Sequence, residues 1–133
     1  MKKSFVAILC LVLIIPAIAG AIDPAPNGTV RFYRDYQCTT GPSTTFGPGE
    51  YKDLRQYPQN DPDTFATIPG TSWNDQVSCM TIGTDISKVI VYQDINFKGK
   101  SRTYTRTSNN PLGAWSLAQD WWNDRISSMK IIK

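Results

Sequence analysis

Histidine is missing altogether from this 133-residue chain. That absence excludes a Ser-His-Asp triad, a Cys-His nucleophile pair and histidine-ligated zinc. Charge of either sign is also scarce. The formal net charge is +3, and it falls to +1 once Lys2 and Lys3 are set aside as part of a leader. A chain this near neutrality carries no basic footprint for nucleic acid. Only one long apolar run exists, Ser4 to Ile15, and it falls short of a membrane span. It follows two lysines, is broken by Pro16, and leads into Ala17-Ile18-Ala19 and Ala19-Gly20-Ala21, both A-x-A cleavage sites. Residues 1–21 therefore read as a secretory signal peptide, and the protein is expected to be secreted or extracytoplasmic, with no membrane contact after cleavage. Cys10 leaves with the leader. Cys38 and Cys79 remain, an even pair in an exported chain. A bridge between them would stabilise by about 3–5 kcal/mol in the chain-entropy model, and two separate buried thiols are the competing reading.

What remains is enough for one small domain with a modest core. Residues 22–28 carry two prolines and an Asn-Gly, and read as a tether. From Thr29 onward the pattern is short alternating segments separated by Gly, Pro, Asn and Asp. Strands are expected at Thr29 to Arg34, Ser43 to Phe46, Glu50 to Leu54 and Val77 to Ile82. The series then restarts at Lys88 to Tyr92, Ser101 to Thr105 and Ile126 to Ile132. Gly113 to Gln119 is ambiguous, and Leu112 to Trp122 has room for a single helical turn. A long proline-bearing loop runs from Arg55 to Trp73 and makes the first half the longer one. Two four-strand units, residues 29–84 and 85–133, point to an all-β fold of two Greek keys packed as an antiparallel β-sandwich. Neither unit alone has enough apolar residues to bury its own face.

The stretch with most chemistry is Trp121-Trp122-Asn123-Asp124-Arg125-Ile126-Ser127-Ser128, echoed by Asn74-Asp75-Gln76-Val77-Ser78-Cys79. Each places amide, carboxylate and hydroxyl oxygens close together before a strand, the donor type that hard cations such as Ca²⁺ prefer. The plainer alternative is that Asn and Asp only make the turn, bonding their own backbone. Asp94, Asp120 and Asp124 could be imagined as a carboxylate pair for glycoside hydrolysis, but nothing in their spacing favours this. The chain is therefore read as non-enzymatic.

Tyr92-Gln93-Asp94-Ile95-Asn96-Phe97-Lys98-Gly99 resembles the Y-x-x-x-x-F-x-G hairpin signature of the βγ-crystallins, and Asn123 to Ser128 resembles that family's calcium motif. The first half has the same layout: Tyr33 to Cys38, then Gly41, then Asn74 to Cys79. The resemblance covers Thr29 to Lys133. It implies a single microbial-type domain that binds up to two Ca²⁺ ions between its halves. In that reading Asp75 and Asp124 are charged ligands and Ser78 and Ser127 supply hydroxyls. Backbone carbonyls come from Gln76, Arg125, Arg34 and Gln93, while Asn74 and Asn123 shape the turns. Tyr92 and Phe97 would pack as an aromatic corner, with Gly99 and Gly41 where φ is positive. Three departures stand out. Cys79 replaces the last serine of the first motif, Cys38 replaces the hairpin aromatic, and Arg125 sets a positive charge beside a cation site. The runner-up reading is a secreted interaction protein on the same fold, such as a protease inhibitor or antimicrobial toxin. It would be monomeric and would meet an extracellular protein or glycan through the Arg55–Trp73 loop or through Trp115, Trp121 and Trp122.

Overall fold

A computed structural model describes residues 22–39 and 41–133. The expected signal segment and both of its cleavage sites lie outside the described residues. Those residues form eight strands: β1 (Val30–Tyr33), β2 (Ser43–Phe46), β3 (Gly49–Tyr51), β4 (Cys79–Ile82), β5 (Lys88–Asp94), β6 (Lys98–Tyr104), β7 (Ala114–Ser116) and β8 (Ser128–Ile132). They pair into two antiparallel four-stranded sheets, ordered β2-β1-β4-β7 and β3-β8-β5-β6. This is the Greek-key sandwich expected from the strand pattern.

The two halves are interleaved. β3 leaves the first half to pair with β8, and β7 leaves the second half to pair with β4. Each sheet thus has three strands from one half and an edge strand from the other. Alternation supplies the layer between them. Val30 and Phe32 of β1, Val89 and Val91 of β5, and Met129 and Ile131 of β8 all point inward and are buried. Trp73 closes the core from the long loop, fully buried, with its ring edge-on to Phe32 at 5.8 Å.

Several local expectations are corrected. The third strand ends at Tyr51 rather than Leu54. Beyond it, the Asp53 carboxylate accepts the Arg55 N–H and caps a single 3₁₀ turn, Leu54–Gln56, which buries Leu54. No helical turn forms over Leu112 to Trp122; that stretch holds β7 and a run of turns. Strands β4 and β8 begin at Cys79 and Ser128, later than expected, because the residues before them belong to the Asn-Asp turns. The Arg55–Trp73 loop is tied down. Asn60 bridges to both Ser43 and Thr67. The buried Gln59 donates from Nε2 to the Ser72 carbonyl at 2.8 Å. Cys38 and Cys79 form a disulfide, with Cα atoms 5.4 Å apart.

Candidate functional site

The two Asn-Asp turns meet at one end of the sandwich. Asp75 and Asp124 both take left-handed backbone, φ 56 and 57. Among non-glycine residues, Asp and Asn tolerate that region best. The conformation aims each aspartate's N–H into the other half: Asp75 donates to the Ile126 carbonyl at 3.0 Å, and Asp124 to the Val77 carbonyl at 3.1 Å. The side chains cross in the same way. Ser127 Oγ donates to Asp75 Oδ1 at 3.4 Å, and Ser78 Oγ to Asp124 Oδ1 at 3.2 Å. Both serines are buried. Each is anchored to its own half by its N–H, Ser78 to the Tyr33 carbonyl and Ser127 to the Tyr92 carbonyl, both at 3.0 Å. Buried tryptophans brace the turns from below, since Gln76 N–H donates to the Trp73 carbonyl and Arg125 N–H to the Trp122 carbonyl.

Asn74 and Asn123 donate from Nδ2 to the neighbouring aspartates, Asp75 and Asp124, at 3.2 and 3.4 Å. Their Oδ1 atoms are buried without a hydrogen-bond donor. A buried amide oxygen left unpaired costs free energy, so each turn holds unspent acceptor capacity beside its carboxylate.

Each expected donor set has its crossed Asp–Ser pair within hydrogen-bond reach, at 3.4 Å for Asp75 with Ser127 and 3.2 Å for Asp124 with Ser78. Asp75, Gln93, Arg125 and Ser127 line a single open cavity of about 510 Å³, together with Asp94, Asn123 and Asp124. Of the second set, Asp124 lines this same cavity. Arg34 and Gln76 line a separate hollow of about 280 Å³ with Asn74 and four residues of the long loop, whereas Asp124 and Ser78 are outside its lining. Asp94 was missed as a member of the site. Its only sequence signal is that it follows Gln93 in the hairpin. Its carboxylate explains part of the glycine at position 99, where φ is +79 and an added Cβ would lie 2.6 Å from Asp94 Oδ2.

Arg125 turns its charge onto an aromatic face. Its guanidinium carbon lies 4.6 Å from the centre of the Trp121 ring, and Lys100 Nζ lies 4.5 Å from the same point. Trp121 is 38% exposed, while Trp122 is buried and Trp115 donates its ring N–H to the Thr105 carbonyl. Of the three tryptophans considered as contact surface, Trp121 alone is exposed. Asp120 is committed elsewhere, to Arg102 at 2.5 Å and the Tyr104 hydroxyl at 3.3 Å. Burial, and then this carboxylate, push the Tyr104 hydroxyl well above the usual phenol range. The aromatic corner is present: the Tyr92 and Phe97 rings are edge-to-face at 5.5 Å.

Among the described residues, no three His, Cys, Asp or Glu side chains converge as a metal cluster. A cation in the larger cavity would depend on hydroxyl and carbonyl oxygens beside isolated carboxylates. That all-oxygen set suits a hard cation of flexible coordination such as Ca²⁺ and offers nothing to a thiophilic metal.

No protein-family model and no curated protein matches this chain. Solved structures do. A double mutant of a βγ-crystallin domain from Clostridium beijerinckii is 30% identical, with 78% of this chain and 96% of that one covered, at a TM-score of 0.52. A βγ-crystallin domain from Flavobacterium johnsoniae is 27% identical over 77% of this chain and 92% of that one, at 0.51. A structure bearing on the evolution of the eye lens βγ-crystallin domain fold reaches 0.59 at 24% identity, over 85% of this chain and 92% of that one, and speaks to fold alone.

Proposed function

Since this chain belongs to the βγ-crystallin family, we propose that it is an exported, non-enzymatic domain that binds Ca²⁺ where its two Asn-Asp turns meet, and that the ion stabilises the fold. The observation that carries this reading is the pairing of Ser127 Oγ with Asp75 Oδ1 at 3.4 Å across the two halves, on the wall of a polar cavity. Two oxygens that close can face one ion, with the carbonyls of Arg125 and Gln93 beside them. Asp94 adds negative charge to the same wall. The ion supplies charge neutralisation and cross-linking; the chain supplies the oxygens and holds them in place. Asp124 and Ser78, 3.2 Å apart, with Gln76 and Arg34, form the second set. One ligating carboxylate among neutral oxygens, with the charges of Asp94 and Asp124 nearby, gives an affinity of about 10⁻⁴–10⁻³ M or somewhat tighter, the range of extracellular modules. A disulfide between Cys38 and Cys79 agrees with an oxidising compartment. Titration calorimetry with Ca²⁺ tests the proposal: binding is expected to wild type and to be lost in an Asp75→Asn, Asp124→Asn double variant. Equal heats from both proteins would overturn it.

One feature favours the runner-up, an interaction protein such as a protease inhibitor or toxin. Phe65 is 67% exposed and held at φ 63 on the pinned long loop. A bulky residue fixed in that backbone region is costly without a use. Retention of inhibitory or toxic activity in Phe65→Ser would remove the support it gives.

A further inference from the structure

The two hairpins beside the turns are tied down by different chemistry. After β5, the Phe97 N–H donates to Ser128 Oγ at 3.0 Å, and Ser128 Oγ donates onward to the Asp94 carbonyl at 2.6 Å. Ser128 directly follows Ser127, so this hydroxyl clamps the hairpin that presents Gln93 onto the strand that presents Ser127. After β1 the corresponding place is taken by Cys79, which directly follows Ser78 and is bonded to Cys38. Cys38 has φ 58 and Phe97 has φ 61, so the bonded partner shares its counterpart's positive φ. With no hydroxyl to intervene, the Cys38 N–H closes directly on the Asp35 carbonyl at 3.3 Å. A thiol is a weak donor and a weak acceptor and could not reproduce the serine's two hydrogen bonds. The covalent bond does that work instead.

We propose that Cys38 and Cys79 are positioning residues for the second cation set: their bridge replaces the serine clamp and fixes the Arg34 carbonyl relative to Ser78. This rests on the calcium reading above. The two ion sites then differ in kind. The clamp beside Asp75 and Ser127 is indifferent to reductant, and the one beside Asp124 and Ser78 is not. Reduction adds two electrons and two protons to the S–S bond and leaves two thiols, while a phosphine reductant goes to its oxide with oxygen from water. Both cysteines are buried, beneath a surface hollow lined by Tyr36 and Gln37, so the phosphine is applied under conditions that let the bridge open and the reduced state is verified by thiol count.

The test is calcium calorimetry on two single-set variants, each oxidised and then reduced with a phosphine. Asp75→Asn reports the second set and Asp124→Asn the first. Reduction should weaken binding to Asp75→Asn by about tenfold or more, the size expected when an outer support of a metal ligand is removed. Binding to Asp124→Asn should stay unchanged, and that also shows that the reduced chain keeps its fold. Ser128→Ala should do the reverse, weakening the first set alone. With Cys38→Ala in place, Cys79→Ser should retain more second-set affinity than Cys79→Ala, because a hydroxyl can rebuild the clamp. Equal weakening of both variants on reduction, or weakening of neither, overturns the proposal. If oxidised wild type gave no calcium heat at all, the functional reading would fall first and the bridge would have no ion to position.

Discussion

Replacing Asp75 by Asn separates charge from shape. Asn tolerates the left-handed backbone that Asp75 adopts at φ 56, and its Oδ1 can still accept the Ser127 hydroxyl. The turn therefore survives, but the amide cannot accept at both positions and loses the Asn74 Nδ2 contact to Oδ2, so the calcium-free stability should fall by about 0.5–1.5 kcal/mol. What goes is the carboxylate that Ser127 meets across the halves. In wild type, calcium at ten to a hundred times its dissociation constant should stabilise by about 1.4–2.7 kcal/mol per ion. For a domain of this size that raises the melting midpoint by about 5–10 °C. The variant should lose more than half of that rise. The assay is thermal unfolding followed by near-ultraviolet circular dichroism, in excess calcium and again in chelator, for both proteins. A calcium-induced rise of the same size in Asp75→Asn would refute the assignment of that carboxylate. A fall in the chelator midpoint well beyond that cost would instead show that Asp75 acts through the turn and not through an ion.

Two further outcomes follow from packing and titration. Gly83→Ala would drive a Cβ into the carbonyl oxygens of Pro26 and Thr29, both backbone atoms with little room to move. It should cost about 1–3 kcal/mol, read as a lower urea midpoint at unchanged slope; an unchanged midpoint would show that the residues 22–29 segment is not docked as described. Tyr104 is neutral in the folded protein to higher pH than in the unfolded chain, so the stability it contributes is complete below the unfolded phenol value and is lost as pH rises above about 10. Alkaline melting should therefore begin there, and Tyr104→Phe should flatten it; an identical alkaline limb in both proteins would contradict the burial and the Asp120 contact.

Much of this molecule is legible in its residues because the signals are local. Val30-Arg31-Phe32 and Lys130-Ile131 alternate inward and outward, as strands exposed on one face must. Asn-Asp before a hydroxyl and an apolar strand gives the left-handed turn in both halves. The aromatic corner and Gly99 follow from sterics within one hairpin. The exchange of edge strands was not legible. β3 and β7 are three residues each, Gly49–Tyr51 and Ala114–Ser116, too short to carry a period or to declare which sheet they join. The helical turn expected near Leu112 failed for a related reason. Ala114 pairs with Thr81, and Trp115 with Met80, and that tertiary partner outweighs local helix propensity. Asp94 escaped notice as part of the site because its place on the cavity wall depends on how the hairpin folds over, which composition does not reveal.

The crossed pairs Asp75–Ser127 and Asp124–Ser78 have a consequence in time. Their members lie 52 and 46 positions apart along the chain. A nascent first half emerges from synthesis with its aspartate but without the opposing serine, and cannot complete either oxygen set. Contacts of such long range are closed at high entropic cost, and where they are absent from the folding transition state they act on unfolding alone. An ion held there should consequently leave the rate of refolding almost untouched and act as a latch, lengthening the life of the finished fold.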